Sequence, residues 1–166
     1  MRLFLVMLIY LSLLIPKIAF SENNLSITQT QSQAIINNEM KIELVKSAIE
    51  ARKKAYAPYS NYLVGAALLS ETNEIITGSN VENASYGLTV CAERTAIFKN
   101  ITTGKNTIKA IAVVTKNGGF PCGACRQVMN EFNPKMLVIV ADENGKIHSE
   151  IMLNELLPNA FGPENL

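Results

Sequence analysis

Histidine and cysteine are scarce in this chain of 166 residues, which contains one histidine, three cysteines and no tryptophan. Three cysteines are an odd number, so a complete framework of disulfides is excluded. A closed structural metal site needs four ligands. The single histidine, His148, follows the Asn144-Gly145 turn in a predicted edge strand, far from the cysteines along the chain. The composition therefore argues against both a disulfide scaffold and a closed metal site.

The chain also lacks an excess of charge of either sign. Its 15 Lys and Arg residues and 14 Asp and Glu residues give a formal net charge of +1. If residues 1–21 are removed as a leader, Arg2 and Lys17 go with them, and the formal charge becomes −1. Proteins bind nucleic acid largely through positive charge facing the phosphates. The charge balance therefore predicts no nucleic-acid partner.

The N-terminus carries a short hydrophobic run. Arg2 is followed by 13 mostly apolar residues, then by Pro16 and Lys17, with small residues placed for cleavage after Ser21. Thirteen residues are short for a membrane span, whereas the three-part pattern is typical of a signal peptide over residues 1–21. We therefore expect an exported protein whose mature chain begins near Glu22. The alternative is a cytoplasmic protein that starts downstream or has an inefficient leader.

The remaining chain alternates between helix and strand patterns. Residues 22–36 are mostly polar and lack a period, which predicts a flexible linker ahead of one domain at 37–166. The order of elements predicts an α/β fold: a three-layer α/β/α arrangement with a mixed five-stranded sheet. The predicted elements are a helix from Asn37 or Asn38 that Pro58 ends, strands at 63–70 and 74–81, a helix from Cys91, a strand at 108–116, a helix at 122–132, strands at 135–143 and 146–151, and a short helix at 153–157.

The three cysteines each lie in the first turn of a predicted helix, where the backbone N–H groups and the helix dipole favour a thiolate. Cys91 opens one helix, and Cys122 and Cys125 open the next. Three protein ligands with a fourth position open are the arrangement of a catalytic zinc ion, which activates water. Glu93, two residues after Cys91, could take a proton from that water and pass it to a substrate.

The same Cys-Gly-Ala-Cys spacing also fits a second chemistry. Two cysteines three apart at the start of a helix are typical of thiol oxidoreductases, and export would favour such a function. Cys122 and Cys125 would then form a redox disulfide, and Cys91 would have no role. On the spacing alone, an exported thiol oxidoreductase stays open as an alternative to the zinc site.

Longer segments resemble a known family. The sequences TVCAERTAIF and PCGACRQV are similar to the zinc-dependent cytidine deaminases, whose ligands and acid/base glutamate follow this pattern. PYSNYLVGAALL, NVENASY and NELLPNAFGPENL resemble its small nucleoside deaminases, so the similarity covers nearly all of residues 40–166. It implies one Zn²⁺ per chain, held by Cys91, Cys122 and Cys125, with Glu93 catalytic. It further implies deamination of cytidine and deoxycytidine in pyrimidine salvage by a homotetramer with shared active sites. A catalytically silent nucleoside-binding protein is the alternative on the same fold.

The resemblance also implies contacts to the sugar and to the sulfurs. It assigns Asn80 and Glu82 to the ribose hydroxyls, and both can face one ligand because they lie two apart on an extended segment. A carboxylate at the sugar end repels a phosphate, which favours a free nucleoside as substrate. Arg94 is assigned to hydrogen bonds with the cysteine sulfurs, which would offset their negative charge.

Further substrate contacts are implied at four positions. Tyr62 stands where the family usually has a phenylalanine that stacks near the base, and Leu63 replaces a usual proline. A phenol ring offers the same face, so we expect stacking to be kept. Ala92 is also assigned to substrate binding, and Tyr86 and Phe161 are assigned to the pocket of a neighbouring subunit.

Overall fold

The structure is a computed structural model that describes residues 36–105 and 107–166. The predicted signal peptide and nearly all of the predicted linker lie outside the described residues, so both stay predictions. Among the helices that the structure describes, none is both long enough and apolar enough to cross a membrane.

A mixed five-stranded sheet forms the centre of the described domain, as the sequence predicts. The strand order is β2-β1-β3-β4-β5, and all neighbours are antiparallel except β3 and β4, which are parallel. Short 3₁₀ helices lie at Tyr86–Leu88 and Pro163–Asn165. The strands are β1 (Gly65–Ser70), β2 (Ile75–Ser79), β3 (Ile108–Thr115), β4 (Leu137–Asp142) and β5 (Ile147–Met152), and the helices are α1 (Asn38–Arg52), α2 (Ala92–Thr102), α3 (Gly123–Phe132) and α4 (Leu153–Leu156).

Both faces of the sheet are covered, because successive side chains of a strand point to opposite sides. In β1, Ala66 and Leu68 belong to one apolar cluster, whereas Ala67 and Leu69 belong to the other. The first cluster includes residues of α2, α3 and α4, and the second includes residues of α1. The predicted three-layer α/β/α arrangement is therefore confirmed, with the cysteine-bearing helices together on one side.

The first helix begins where the sequence predicts and ends earlier. Asn37 is the N-cap, and its Oδ1 accepts a hydrogen bond of 2.8 Å from the backbone N–H of Met40. The helix ends at Arg52, so the prediction that Pro58 ends it was wrong. Tertiary contacts explain the early end, because the backbone N–H of Tyr56 already bonds the carbonyl of Asn80 at 3.0 Å. The chain must therefore leave the helix axis before Tyr56.

Candidate active site

Two helix starts position the three cysteines. Cys91 is the N-cap of α2 and Cys122 is the N-cap of α3, both with extended backbone. Each helix therefore begins one residue later than predicted. Within the described part of the chain, neither cysteine side chain caps its own helix, so both sulfurs stay available to a metal. Cys125 lies in the first turn of α3 and is fully buried.

The three sulfur atoms form one cluster, all within 4.8 Å of one another. Sulfur ligands lie about 2.3 Å from a tetrahedral zinc, so two of them are about 3.8 Å apart. The sulfurs, which lie within 4.8 Å of one another, need to approach by only about 1 Å or less to reach that spacing. Three thiolates at two helix N-termini are a donor set that zinc prefers. The site therefore fits one Zn²⁺ per chain with a fourth position left for another ligand.

The charges around the sulfurs favour a thiolate at Cys91. A hydrogen bond from the Cys125 thiol and the nearby Arg94 guanidinium lower the pKa of Cys91 to about 5. The same contact with Cys91, together with burial, raises the pKa of Cys125. Nη2 of Arg94 lies 3.6 Å from Sγ of Cys91 and donates to the carbonyl of Thr89 at 3.0 Å. The structure thus places Arg94 against one of the predicted ligands.

Glu93 lies in the first turn of α2 with only 4% of its surface exposed. Burial raises the pKa of its carboxyl group above the ordinary value, and the negative charge of Cys91 adds to this effect. Glu93 follows the N-cap Cys91 by two residues in the first turn of α2, which places it at the helix start that carries a clustered sulfur. A carboxyl group that is shielded from bulk water next to a metal site can hold and transfer a proton.

Glu82 is held in place by the loop that follows α1. Its Oε2 accepts hydrogen bonds from the backbone N–H groups of Tyr59, at 2.9 Å, and Ser60, at 3.2 Å. The Ser60 hydroxyl donates to Oε1 of the same carboxylate. The Ser60 side chain and these N–H groups hold the pKa of Glu82 below its ordinary value. The sequence interpretation assigned no role to Tyr59 or Ser60, although both lie within the PYSNY segment.

Asn80 is buried, and its side chain forms hydrogen bonds with the backbones of Tyr62 and Val64. Its Oδ1 accepts from the backbone N–H of Val64 at 2.8 Å, and its Nδ2 donates to the carbonyl of Tyr62 at 2.9 Å. An asparagine amide carries two N–H donors. One of them bonds the Tyr62 carbonyl, and the contact of Asn80 with ribose stays a prediction.

The remaining predicted contacts differ in exposure. Tyr86 is 78% exposed and its ring lies 6.3 Å from that of Tyr59, and Phe161 is 60% exposed. Ala92 is fully buried, and Tyr62 is 40% exposed. Because Tyr86 and Phe161 lie on the surface of the single chain, their role in a neighbouring pocket stays a prediction. The substrate contacts of Ala92 and Tyr62 stay predictions as well.

His148 lies on the edge strand β5, as predicted. Its Nε2 lies 2.9 Å from Oδ2 of Asp142, and this contact holds the pKa of Asp142 below its ordinary value. In the described residues, the group of possible metal ligands consists of the three cysteines and does not include His148.

Comparisons with known proteins agree with this site. Residues 38–141 match the family model described as the cytidine and deoxycytidylate deaminase zinc-binding region. A cytidine deaminase of Halalkalibacterium halodurans is 53% identical over 126 residues, which are 74% of this chain and 95% of the relative. A cytidine deaminase of Sporosarcina psychrophila is 47% identical over 127 residues, which are 75% of this chain and 93% of the relative.

Solved structures give the same result. The crystal structure of a cytidine deaminase from Burkholderia pseudomallei is 48% identical, with a TM-score of 0.68, and the match covers 72% of this chain and 97% of that one. A cytidine deaminase from Mycobacterium tuberculosis is 40% identical, with a TM-score of 0.64 and coverages of 72% and 95%. This chain belongs to the cytidine and deoxycytidylate deaminase family. The predicted resemblance is confirmed.

Proposed function

We propose that this chain catalyses the hydrolytic deamination of cytidine and deoxycytidine to uridine and deoxyuridine, with release of ammonia. The observation that carries the proposal is the cluster of Cys91, Cys122 and Cys125 sulfurs within 4.8 Å, beside the buried Glu93. The relatives that are named cytidine deaminases support this choice of substrate.

The cysteines and Glu93 divide the chemistry between them. Cys91, Cys122 and Cys125 would hold Zn²⁺, which when bound would supply the Lewis acidity that makes water a nucleophile near neutral pH. Glu93 takes a proton from this water and donates it to N3 of the base as the water oxygen bonds to C4. Glu93 then transfers the second water proton to the amino group. The C4–N bond breaks, and ammonia leaves.

The net charge of three thiolates with Zn²⁺ gives Arg94 and the two helix N-termini a role in the activation of water. Three thiolates and one Zn²⁺ carry a net charge of −1, which would make the activated water less acidic than at a neutral site. The guanidinium of Arg94 lies against Cys91, and the N-termini of α2 and α3 direct their positive ends at the cluster. These groups offset the excess negative charge.

The sugar end selects free nucleosides. Glu82 keeps its negative charge because of its Ser60 and backbone donors, and its remaining lone pairs can accept hydrogen bonds from ribose hydroxyls. Asn80 offers its second N–H to the same sugar. A 5′-phosphate would bring negative charge towards Glu82, so CMP should be a much poorer substrate than cytidine. Equal kcat/KM values for CMP and cytidine would contradict this proposal.

A combined measurement of metal content and turnover tests the proposed activity. Purified protein should contain about one zinc per chain and should remove the absorbance band of cytidine. Zinc-loaded protein that leaves cytidine unchanged would contradict the proposal. Metal-free protein with a Cys122–Cys125 disulfide would favour the oxidoreductase alternative. Binding of cytidine without turnover would favour a silent nucleoside-binding protein.

We further propose a homotetramer with active sites at the subunit boundaries. Large apolar side chains on the surface of the single chain support it, with Tyr86 at 78%, Leu88 at 66% and Phe161 at 60% exposure. Burying such side chains between copies of the chain would be favourable. Light scattering should give about four times the mass of the chain. A monomer that is fully active would contradict shared sites.

Export and a role in pyrimidine salvage are also proposals. The signal-peptide pattern of residues 1–21 supports export. In an oxidising compartment, however, free thiols form disulfides. Bound zinc would protect the three cysteines, since a coordinated thiolate exchanges poorly with disulfides. Activity outside the cytosol should therefore depend on retained zinc.

A further inference from the structure

Tyr62 lies between the sugar-binding residues and the loop that leads to a metal ligand. Its backbone N–H donates to Oγ of Ser60 at 3.0 Å, and its carbonyl accepts from Nδ2 of Asn80 at 2.9 Å. Ser60 also donates to Glu82. The main chain of Tyr62 is therefore fixed by the same residues that hold the sugar-binding groups.

The side chain of Tyr62 reaches the connection between β3 and α3. Its hydroxyl donates to Oδ1 of Asn117 at 3.0 Å, an oxygen that also lies 3.4 Å from Oγ1 of Thr115. Oγ1 of Thr115, a buried residue, accepts from the backbone N–H of Gly119 at 2.6 Å. This connection continues through Pro121 to Cys122. One phenol hydroxyl thus joins the sugar-binding segment to the loop that carries a zinc ligand.

The backbone of Gly119 lies close to the Tyr62 hydroxyl, because glycine has no Cβ atom. A Cβ atom added at Gly119 would lie 2.7 Å from the Tyr62 hydroxyl oxygen, with Oγ1 of Thr115 next at 3.5 Å. The backbone of Gly119 is not in the left-handed region, so an alanine there meets this one severe contact and no backbone strain. The easiest relief is for the hydroxyl to move away, which would break its bond to Asn117.

We propose that Tyr62 is a positioning residue whose hydroxyl, through its bond to Asn117, sets the distance between the sugar-binding residues and the Cys122 loop. This inference rests on the proposed function. A nucleoside held by Glu82 and Asn80 then presents C4 of its base to the metal end of the site. Small misplacements between reacting atoms reduce the rate strongly. The bond therefore acts on the chemical step more than on binding.

Removing the hydroxyl alone isolates its role. Tyr62→Phe keeps the ring and its stacking face, so KM for cytidine should stay nearly unchanged. We expect kcat per bound zinc to fall about threefold, since the bond is neutral and partly exposed. Asn117→Ala should have a similar effect. The double variant should be no worse than the more damaging single variant, because both remove one interaction. Tyr56→Phe, at a tyrosine that is 57% exposed, is the matched control and should behave like the unaltered protein.

In a Gly119→Ala background, Tyr62→Phe should change kcat in the opposite direction. In the unaltered protein Tyr62→Phe should lower kcat, whereas in the Gly119→Ala background it should raise kcat to the level of Tyr62→Phe alone. The reason is that phenylalanine lacks the oxygen that the new Cβ would meet. If the Tyr62 hydroxyl did not meet the new Cβ atom, the two changes would be additive and harmful. If Tyr62→Phe lowers kcat further in the Gly119→Ala background, the proposal is overturned.

Release of zinc to a chelator gives a readout that does not depend on turnover. Loosening the loop ahead of Cys122 should speed zinc release in Tyr62→Phe and Asn117→Ala, and Tyr56→Phe should leave it unchanged. Unchanged kcat, KM and zinc release in Tyr62→Phe would reject the positioning role. Absence of cytidine turnover in the unaltered, zinc-loaded protein would instead reject the proposed function. The two failures are therefore distinguishable.

Discussion

Glu93 is the residue at which proton transfer and metal binding can be separated. Glu93→Gln keeps the size of the side chain and changes none of the three cysteines. The variant should bind zinc like the unaltered protein, while kcat falls by about two to four orders of magnitude because the proton carrier is lost. Metal analysis and a cytidine absorbance assay on the same sample measure both quantities.

Glu43→Gln is the control for this experiment, since Glu43 is an exposed glutamate on α1. It makes the same chemical change away from the cysteines and should leave kcat unaltered. Turnover by Glu93→Gln at a tenth of the normal rate or more would contradict the catalytic role, given the usual size of acid/base contributions, about 10²–10⁴-fold.

The Ser60 hydroxyl should set the pH range over which the sugar is bound. The pKa of Glu82 lies below its ordinary value, with the Ser60 side chain as the first cause, so its carboxylate stays charged at neutral and mildly acidic pH. Binding by the charged form is lost only as the pH falls through this lowered pKa. KM for cytidine should therefore stay constant from pH of about 7 to about 5. In Ser60→Ala the pKa should rise towards the ordinary value, and KM should increase at a higher pH.

KM is the appropriate readout here, because zinc loss in acid reduces the active fraction without changing KM of the sites that remain. Ser47→Ala, on α1, is a matched control. Identical pH profiles of KM for Ser60→Ala and the unaltered protein would show that the hydroxyl does not tune Glu82.

At the scale of elements, Arg126 connects the start of α3 to the C-terminal segment. Its Nε donates to the carbonyl of Pro121 at 2.8 Å, and its Nη1 donates to the carbonyl of Leu156 at 2.8 Å. Arg126→Gln should lower the free energy of unfolding by about 2 kcal/mol, because two carbonyls lose charged donors. It should also speed zinc release, since Pro121 precedes Cys122. Urea unfolding and a chelator assay measure these effects.

Lys46→Gln, on the exposed side of α1, removes a positive charge without these contacts and serves as the control. Equal stability of Arg126→Gln and Lys46→Gln would show that the two carbonyl contacts contribute nothing.

Much of the fold and the metal-binding residues could be predicted from local sequence patterns. Alternating and apolar runs indicated the five strands, and the positions of Cys91, Cys122 and Cys125 at predicted helix starts, together with the family resemblance, indicated one cluster. The end of α1 could not be predicted, because the contact of Tyr56 with Asn80 joins segments far apart in sequence. The roles of Ser60 and Asn117 also depend on such contacts. Local periodicity contains no information about hydrogen bonds between distant loops.

For the whole molecule, the N-terminus of the active species tests the proposed export. Cells should be fractionated, and the active protein should be sequenced from its N-terminus. We expect activity outside the cytosol from a chain that begins near Glu22, because the pattern of residues 1–21 is typical of a cleaved leader. A variant with Leu8→Arg should retain its leader and its activity inside the cell. Active cytosolic protein that still begins at Met1 would contradict export.

The placement of the cysteines at the starts of two different helices has a consequence for the relation between zinc binding and folding. Cys91 and Cys122 are about thirty residues apart, so one ion bound to both closes a loop that contains all of α2 and β3. In the folded chain β3 is the central strand of the sheet, and the sulfurs at the two helix starts lie within 4.8 Å of one another. Metal uptake is therefore coupled to completion of the fold. A chain exported in the folded state would therefore retain its zinc, whereas a chain that crosses a membrane in extended form would have to bind zinc again after folding on the other side.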